Sequence, residues 1–153
     1  MRFLLMFVLV CALFAQKPTV EMWPGAQYDP AVPTVKKVLG YEPGERIAPH
    51  ADLMRYFEAL ATAQPSRVKL VEYAKSWEKR KLIIAIIGSE ANMKRLPELQ
   101  AGYKKLADPR KTNEAEAQRL IGSLPASLML AYNVHGNEIS GADAAMMSAY
   151  HLL

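Results

Sequence analysis

The apolar run at residues 82–87, LIIAII, limits the folds open to this chain more than any other stretch. It is rich in β-branched residues, which favours a strand. Because side chains point alternately to the two faces of a sheet, a strand that is apolar throughout must be covered on both faces. Residues 67–74 alternate in polarity, and the polar residues 76–80 predict a hairpin connection. The two strands therefore predict a sheet inside a layered domain.

Apolar residues at helical spacing occur on both sides of this hairpin. They predict helices that begin near residues 51 and 96 and helices over residues 112–123 and 140–153. Asn113 can cap the third of these helices, and Glu116 can reach back to it as in a capping box. Residues 126–134 are typical of a third strand. The order predicts an α/β fold with a mixed central sheet and helices on both faces.

The first residues carry the pattern of a secretory signal peptide. Arg2 precedes an apolar core from Phe3 to Phe14, and small Ala15 follows. The apolar run is shorter than the ~20 residues that cross a bilayer. We therefore expect a signal peptide over residues 1–15, a secreted or periplasmic product, and no stable membrane insertion after cleavage. Cys11 would be removed, so the mature chain has no disulfide framework.

Residues 16–49 form a lead-in that is rich in proline and glycine. Proline at this frequency excludes long helices and central strands. Trp23, Tyr28 and Tyr41 nevertheless predict that the lead-in packs against some other surface. The formal net charge of +4 is spread over short basic groups without interleaved aromatic residues. We therefore expect no nucleic-acid partner.

The segment 126–153 contains the main candidate site. His135 and Glu138 lie three residues apart where the third predicted strand ends, so both can turn toward one ion. Nitrogen and oxygen donors of this kind suit zinc. In α/β sheets, ligands bind at the carboxyl ends of strands. The alternative from the residues alone is a polar loop that caps the next helix, since carboxylates are common at helix starts.

The other histidines and serines are weaker candidates. His50 precedes a helix and is interpreted as a capping or surface residue, and His151 as a packing or surface residue. Ser140 and Ser148 have no visible base partner, which argues against a serine nucleophile.

From His50 onward the chain resembles the amino-terminal part of the M14 family of zinc carboxypeptidases. The turn over residues 74–80, AKSWEKR, is similar to the Gly-Lys-Ser-x-Glu-Gly-Arg turn of that family. A long apolar strand follows, and a His-x-x-Glu pair follows the next strand, here PASLMLAYNVHGNE. The lead-in LGYEPGERIAPHADLMRYFEAL resembles the large secreted bacterial members.

The resemblance implies a zinc-dependent metallocarboxypeptidase that hydrolyses peptides or proteins, with His135 and Glu138 as the first two Zn²⁺ ligands. A third ligand, a histidine, would come from a later strand, and a downstream glutamate would act as general base. Arginines would hold the substrate carboxylate. The Arg often found before the ligand Glu is replaced here by Asn137, which leaves the peptide preference open.

On this basis residues 50–153 are expected to be the amino-terminal part of a peptidase domain that is truncated at its carboxyl end, and inactive alone. Two other functions stay open. One is a deacylase or amidohydrolase of the same superfamily, which also uses a His-x-x-Glu pair, and a secretory signal favours the peptidase over it. The other is a non-catalytic peptidase-like binding module.

Overall fold

The computed structural model describes residues 23–153, so the predicted signal peptide lies outside the described residues. Helices and strands of this part of the chain are, in order, α1 (Val35–Leu39), α2 (His50–Ala63), β1 (Val68–Lys75), β2 (Lys81–Ile87), α3 (Glu90–Lys94), α4 (Leu96–Leu106), α5 (Glu114–Ser123) and α6 (Ser140–Leu152). None of these helices is long and apolar enough to cross a membrane.

The sheet is an antiparallel hairpin of β1 and β2, which confirms both predicted strands and the connection between them. Its register runs from Val68 opposite Ile87 to Lys75 opposite Lys81. In the connection, Lys79 takes the left-handed conformation, with a φ of 60°. Over residues 23–153 the sheet has these two strands, so the predicted mixed sheet is not seen there.

The predicted third strand over residues 126–134 is wrong. These residues follow an irregular path and join no sheet of the described chain. Leu128 and Met129 are each 82% exposed, and Val134 is 75% exposed. A strand is stable only when a neighbour pairs with its backbone N–H and C=O groups. Apolar composition favours a strand, but this segment pairs with neither edge of the β1–β2 hairpin.

One face of the hairpin packs on the core of the domain. Leu70 of β1 and Ile83, Ala85 and Ile87 of β2 contact this core and are partly buried. On the opposite face, Ile84 remains 46% exposed. The combination of helices with a sheet is therefore confirmed, in the form of a small antiparallel hairpin, whereas helices on both faces of the sheet stay a prediction.

The core joins the lead-in to α2 and α6. Its most deeply buried side chains are Tyr56 and Leu60 of α2 and Met146 of α6. The lead-in contributes Val32, Val35, Leu39, Tyr41 and Ala48 to the same cluster. The expectation that the lead-in packs against another surface is therefore confirmed, and that surface is formed by α2 and α6. Proline-rich sequence here forms irregular structure around the short helix α1 and still contributes to the core.

The helix predictions hold with small changes at the ends. Asn113 caps α5, because its side chain accepts a hydrogen bond of 2.9 Å from the backbone N of Glu116. The carboxylate of Glu116 binds Arg119 instead of reaching back, so the capping box is half formed. The five-residue helix α3 is too short for periodicity to reveal it, but Ser89 caps it.

A buried carboxylate ties the lead-in to α2. Tyr41 Oη and Arg46 Nη2 both donate to Asp52 Oδ2 over 2.9 Å. Arg55 Nη2 lies 3.4 Å from Asp52 Oδ1, and the Arg46 guanidinium lies 4.0 Å from the centre of the Tyr41 ring. The hydrogen bond from Tyr41 lowers the pKa of Asp52 most, and Arg46 and Arg55 lower it further. The ionised form of Asp52 therefore stabilises the fold.

We expect Asp52→Asn to lower the free energy of unfolding by about 1–3 kcal/mol at neutral pH, because Tyr41 and Arg46 lose a charged acceptor. The pKa of Asp52 is lower in the folded chain than the unfolded value of about 3.9. Its contribution is therefore complete above that value and is lost as the pH falls through the folded pKa. Urea unfolding at several pH values measures this.

The control is Glu58→Gln, on the exposed side of the same helix. It should change stability by less than about 0.5 kcal/mol. Equal losses in the two variants, or a difference from wild type that does not shrink as the pH falls below the ordinary pKa of aspartate, would contradict the role given to Asp52.

Candidate metal centre

Residues 124–139 connect α5 to α6 and carry the predicted ligands. Tyr132 Oη donates a hydrogen bond of 2.7 Å to Ser148 Oγ, which ties the end of the apolar segment to α6. The next residue, Asn133, has a φ of 56°. Asparagine is enriched in this left-handed region among residues other than glycine. From here the chain forms the ligand loop, defined as residues 133–141, and enters α6.

His135 and Glu138 face each other in the ligand loop. Nδ1 of His135 lies 2.9 Å from Oε1 of Glu138, and the backbone N of Glu138 donates to the carbonyl of His135 over 3.1 Å. Their side chains are 71% and 56% exposed. The predicted pair is therefore brought together by one turn of backbone and is open to solvent on its outer side.

The donor atoms of this pair suit zinc. Two ligand atoms on one tetrahedral zinc ion lie about 3.3 Å apart, since zinc–nitrogen and zinc–oxygen distances are ~2.0–2.2 Å. The observed separation of 2.9 Å is that of a direct hydrogen bond, so the two atoms would move apart by about 0.4 Å to take an ion between them. Within residues 23–153, no three His, Cys, Asp or Glu side chains come together in a way that could hold a metal ion. The pair thus supplies two donor atoms of the kinds that zinc uses, and the described residues add no third protein ligand.

The other two histidines lie in other surroundings. His50 Nε2 is 2.8 Å from the carbonyl oxygen of Lys81, which links the start of α2 to β2. The ring of His151 packs 4.3 Å from the ring of Trp23, and its Nδ1 lies 3.1 Å from Tyr28 Oη. The interpretation of His151 as a packing residue is confirmed. His50 bonds to a strand carbonyl, and Pro49 takes the capping position.

The family model for zinc carboxypeptidases matches residues 53–153, which are 101 of the 153 residues. The chain belongs to the zinc carboxypeptidase family. No curated protein and no solved structure matches it. The zinc carboxypeptidase match begins inside α2 and takes in the hairpin and the ligand loop. It confirms the resemblance at the level of the family and suggests a metallopeptidase.

Sequence patterns do not single out Asp143, which anchors the start of α6 in this zinc carboxypeptidase chain. Asp143 Oδ2 accepts a hydrogen bond of 3.0 Å from the backbone N of Gly44 in the lead-in. Asp143 Oδ1 is buried and has no hydrogen-bond partner among the described residues. An acid in the first turn of a helix is a signal visible in the sequence. This signal does not predict the hydrogen-bond partner of Asp143, because Gly44 lies 99 residues away in the sequence.

Gly141 is the second residue near the site that sequence reasoning missed. A Cβ atom added at position 141 would overlap Oδ1 of Asn133 and would lie 3.1 Å from its backbone N. Oδ1 is the end of an exposed side chain and can rotate away, but Cγ and the backbone N of Asn133 must then yield by a few tenths of an ångström to a side chain at position 141. Gly141 therefore allows the two ends of the ligand loop to touch. A glycine among small residues is visible in the sequence, but its contact is not.

We expect Gly141→Ala to lower the free energy of unfolding, although alanine is the better helix former. Without a clash, the replacement of a helical glycine by alanine stabilises a protein by about 0.5–1 kcal/mol. The matched control is Gly122→Ala in α5, where an added Cβ meets nothing within 4 Å. Thermal unfolding of the two variants should give shifts of opposite sign. A rise in Tm for Gly141→Ala equal to that for Gly122→Ala would show that the close contact is absent.

Proposed function

We propose that this chain is the amino-terminal part of a zinc-dependent metallocarboxypeptidase and that His135 and Glu138 are its first two zinc ligands. The observation that carries the proposal is the family match, because it covers the ligand loop. The 2.9 Å approach of an imidazole nitrogen to a carboxylate oxygen supports the residue assignment. Nitrogen and oxygen donors are the set from which catalytic zinc sites are built.

The ligand loop suits an ion that must also meet a substrate. Because the side chains of both residues are more than half exposed, an ion between them stays open to a peptide on its outer side. When bound, zinc would polarise a peptide carbonyl and lower the pKa of water. The contribution of this chain is to hold the ion from one side and to set its position relative to α6.

We propose that the third ligand, the general base and the arginines that hold the substrate carboxylate come from residues outside the described range. Within that range the two proposed ligands have no third partner. Asn137 precedes the ligand Glu138 in the position where the family often has an arginine, so this contact to the substrate would also come from elsewhere. The complete site would thus be assembled from several segments.

We also propose that the protein is secreted or periplasmic. The support is the pattern of residues 1–16, in which one basic residue precedes an apolar core and small and polar residues follow. Peptides outside the cytoplasm would then be the substrates.

We expect His135→Ala to weaken zinc binding by roughly tenfold or more, because loss of one of two protein ligands leaves a single carboxylate. Zinc titration followed through the NMR signals of the histidine rings suits a weak two-ligand site and reports each histidine separately. The matched control is His50→Ala, since His50 bonds to a strand carbonyl. Zinc affinity that is unchanged in His135→Ala would refute the ligand assignment.

With zinc present, the chain alone should release no carboxyl-terminal residues from peptides, because the described residues lack a third ligand. The assay should include acylated amino acids beside peptides. Release of amino acids from peptides would contradict the proposal that the third ligand and the general base lie outside the described residues. Release from acylated amino acids alone would favour the deacylase, and the absence of both activities together with absent zinc binding would favour a non-catalytic module.

A further inference from the structure

We propose that Asn133 and Gly141 are positioning residues for the zinc site, because their contact sets the direction in which His135 and Glu138 point. The inference rests on the proposed function, in which those two residues bind zinc. It concerns how the loop is held and not which atoms bind the ion.

The ligand loop has little burial of its own to order it. All residues from 131 to 140 are exposed. Inside the loop, the backbone N of Glu138 donates to His135 O over 3.1 Å and the backbone N of Gly141 donates to Glu138 O over 3.3 Å. The second of these bonds joins Glu138 to the first turn of α6, but neither bond holds the start of the loop. The start must therefore be attached by contacts at the ends of the loop.

The two ends of the loop meet where Asn133 approaches Gly141. At its start, Asn133 has a φ of 56°, which turns the chain sharply after Tyr132. At its end, the Cα of Gly141 lies so close to Asn133 that an added Cβ would be 3.0 Å from Cγ and 3.1 Å from the backbone N of Asn133. A residue with a side chain at 141 would require the Asn133 side chain to rotate and its backbone to shift by a few tenths of an ångström.

The start of α6 is anchored in the core. The contact between Asn133 and Gly141 therefore helps to fix the loop relative to the core. Ala142, Ala145 and Met146 are buried in the core, and Asp143 binds Gly44. Gly141 is the residue next to this buried stretch. Asn133 lies against Gly141, and the preceding residue Tyr132 donates a hydrogen bond to Ser148 of α6, so both contacts place the start of the loop relative to the core.

Both proposed ligands lie within three residues of this contact in the sequence, so the contact affects their positions. His135 follows Asn133 by two residues, and Glu138 precedes Gly141 by three. Binding groups must be held within about 0.5 Å of their productive positions. A methyl group at 141 displaces Asn133 and with it the entry to His135, whereas Glu138 stays tied to α6. The separation of the two ligands then changes.

The test compares Gly141→Ala with the control Gly122→Ala, using zinc titration on the chain followed by NMR. We expect Gly141→Ala to weaken zinc binding by roughly tenfold, in the range found when residues that orient metal ligands are changed. Gly122→Ala should bind like wild type. Adding Asn133→Gly to Gly141→Ala removes the overlapping side chain and tolerates a positive φ, and should recover most of the lost affinity.

A readout that needs no metal keeps the proposal falsifiable. In Gly141→Ala the backbone amide signals of residues 134–138 should shift and the exchange protection of the Glu138 amide should fall, while signals of β1 and β2 stay in place. If Gly141→Ala is too unstable to study, Asn133→Ala tests the same contact from its other end, since alanine disfavours a positive φ.

The outcomes separate this proposal from the proposed function. Unchanged loop signals in Gly141→Ala and in Asn133→Ala would overturn the positioning role, whatever the zinc affinity. Normal zinc affinity in Gly141→Ala would also overturn it. The loop signals could shift as expected while wild type binds no zinc at His135. The contact between Asn133 and Gly141 would then be a structural feature only. The ligand assignment and the positioning of a zinc site would both be refuted.

Discussion

The burial of one face of α6 against α2 and the lead-in is the constraint on which the rest of the structure depends. Met146 and Leu60 are completely buried where these helices meet, and Tyr41 and Val35 of the lead-in close the same core. Full burial of a side chain of this size contributes about 1.5–3 kcal/mol. Because the ligand loop ends in the first turn of α6, the packing of this helix also decides where the loop lies.

The sequence allowed prediction of the elements whose stability is local. The hairpin of β1 and β2, the cap at Asn113 and the buried face of α6 follow from periodicity and capping preferences, which depend on residues a few positions apart. The strand predicted over residues 126–134 failed for the opposite reason. Its apolar composition is visible in the sequence, whereas the presence of a pairing neighbour depends on distant segments.

In the candidate site, too, local contacts could be predicted from the sequence and contacts between distant residues could not. The approach of His135 to Glu138 could be expected, because three residues of one turn bring them together. The contact of Asn133 with Gly141 and the bond from Gly44 to Asp143 could not, because each joins residues that no spacing rule connects. The zinc carboxypeptidase family supplies the chemistry to be expected of the pair, and the packing of α6 explains how an exposed loop can hold a defined shape.

Anomalous X-ray scattering at the zinc edge, from crystals of this chain grown with zinc, tests the central claim most directly. The account predicts an anomalous peak within about 2.0–2.2 Å of both His135 Nδ1 and a carboxylate oxygen of Glu138. A peak at His50 or His151 with none at the ligand loop would contradict it.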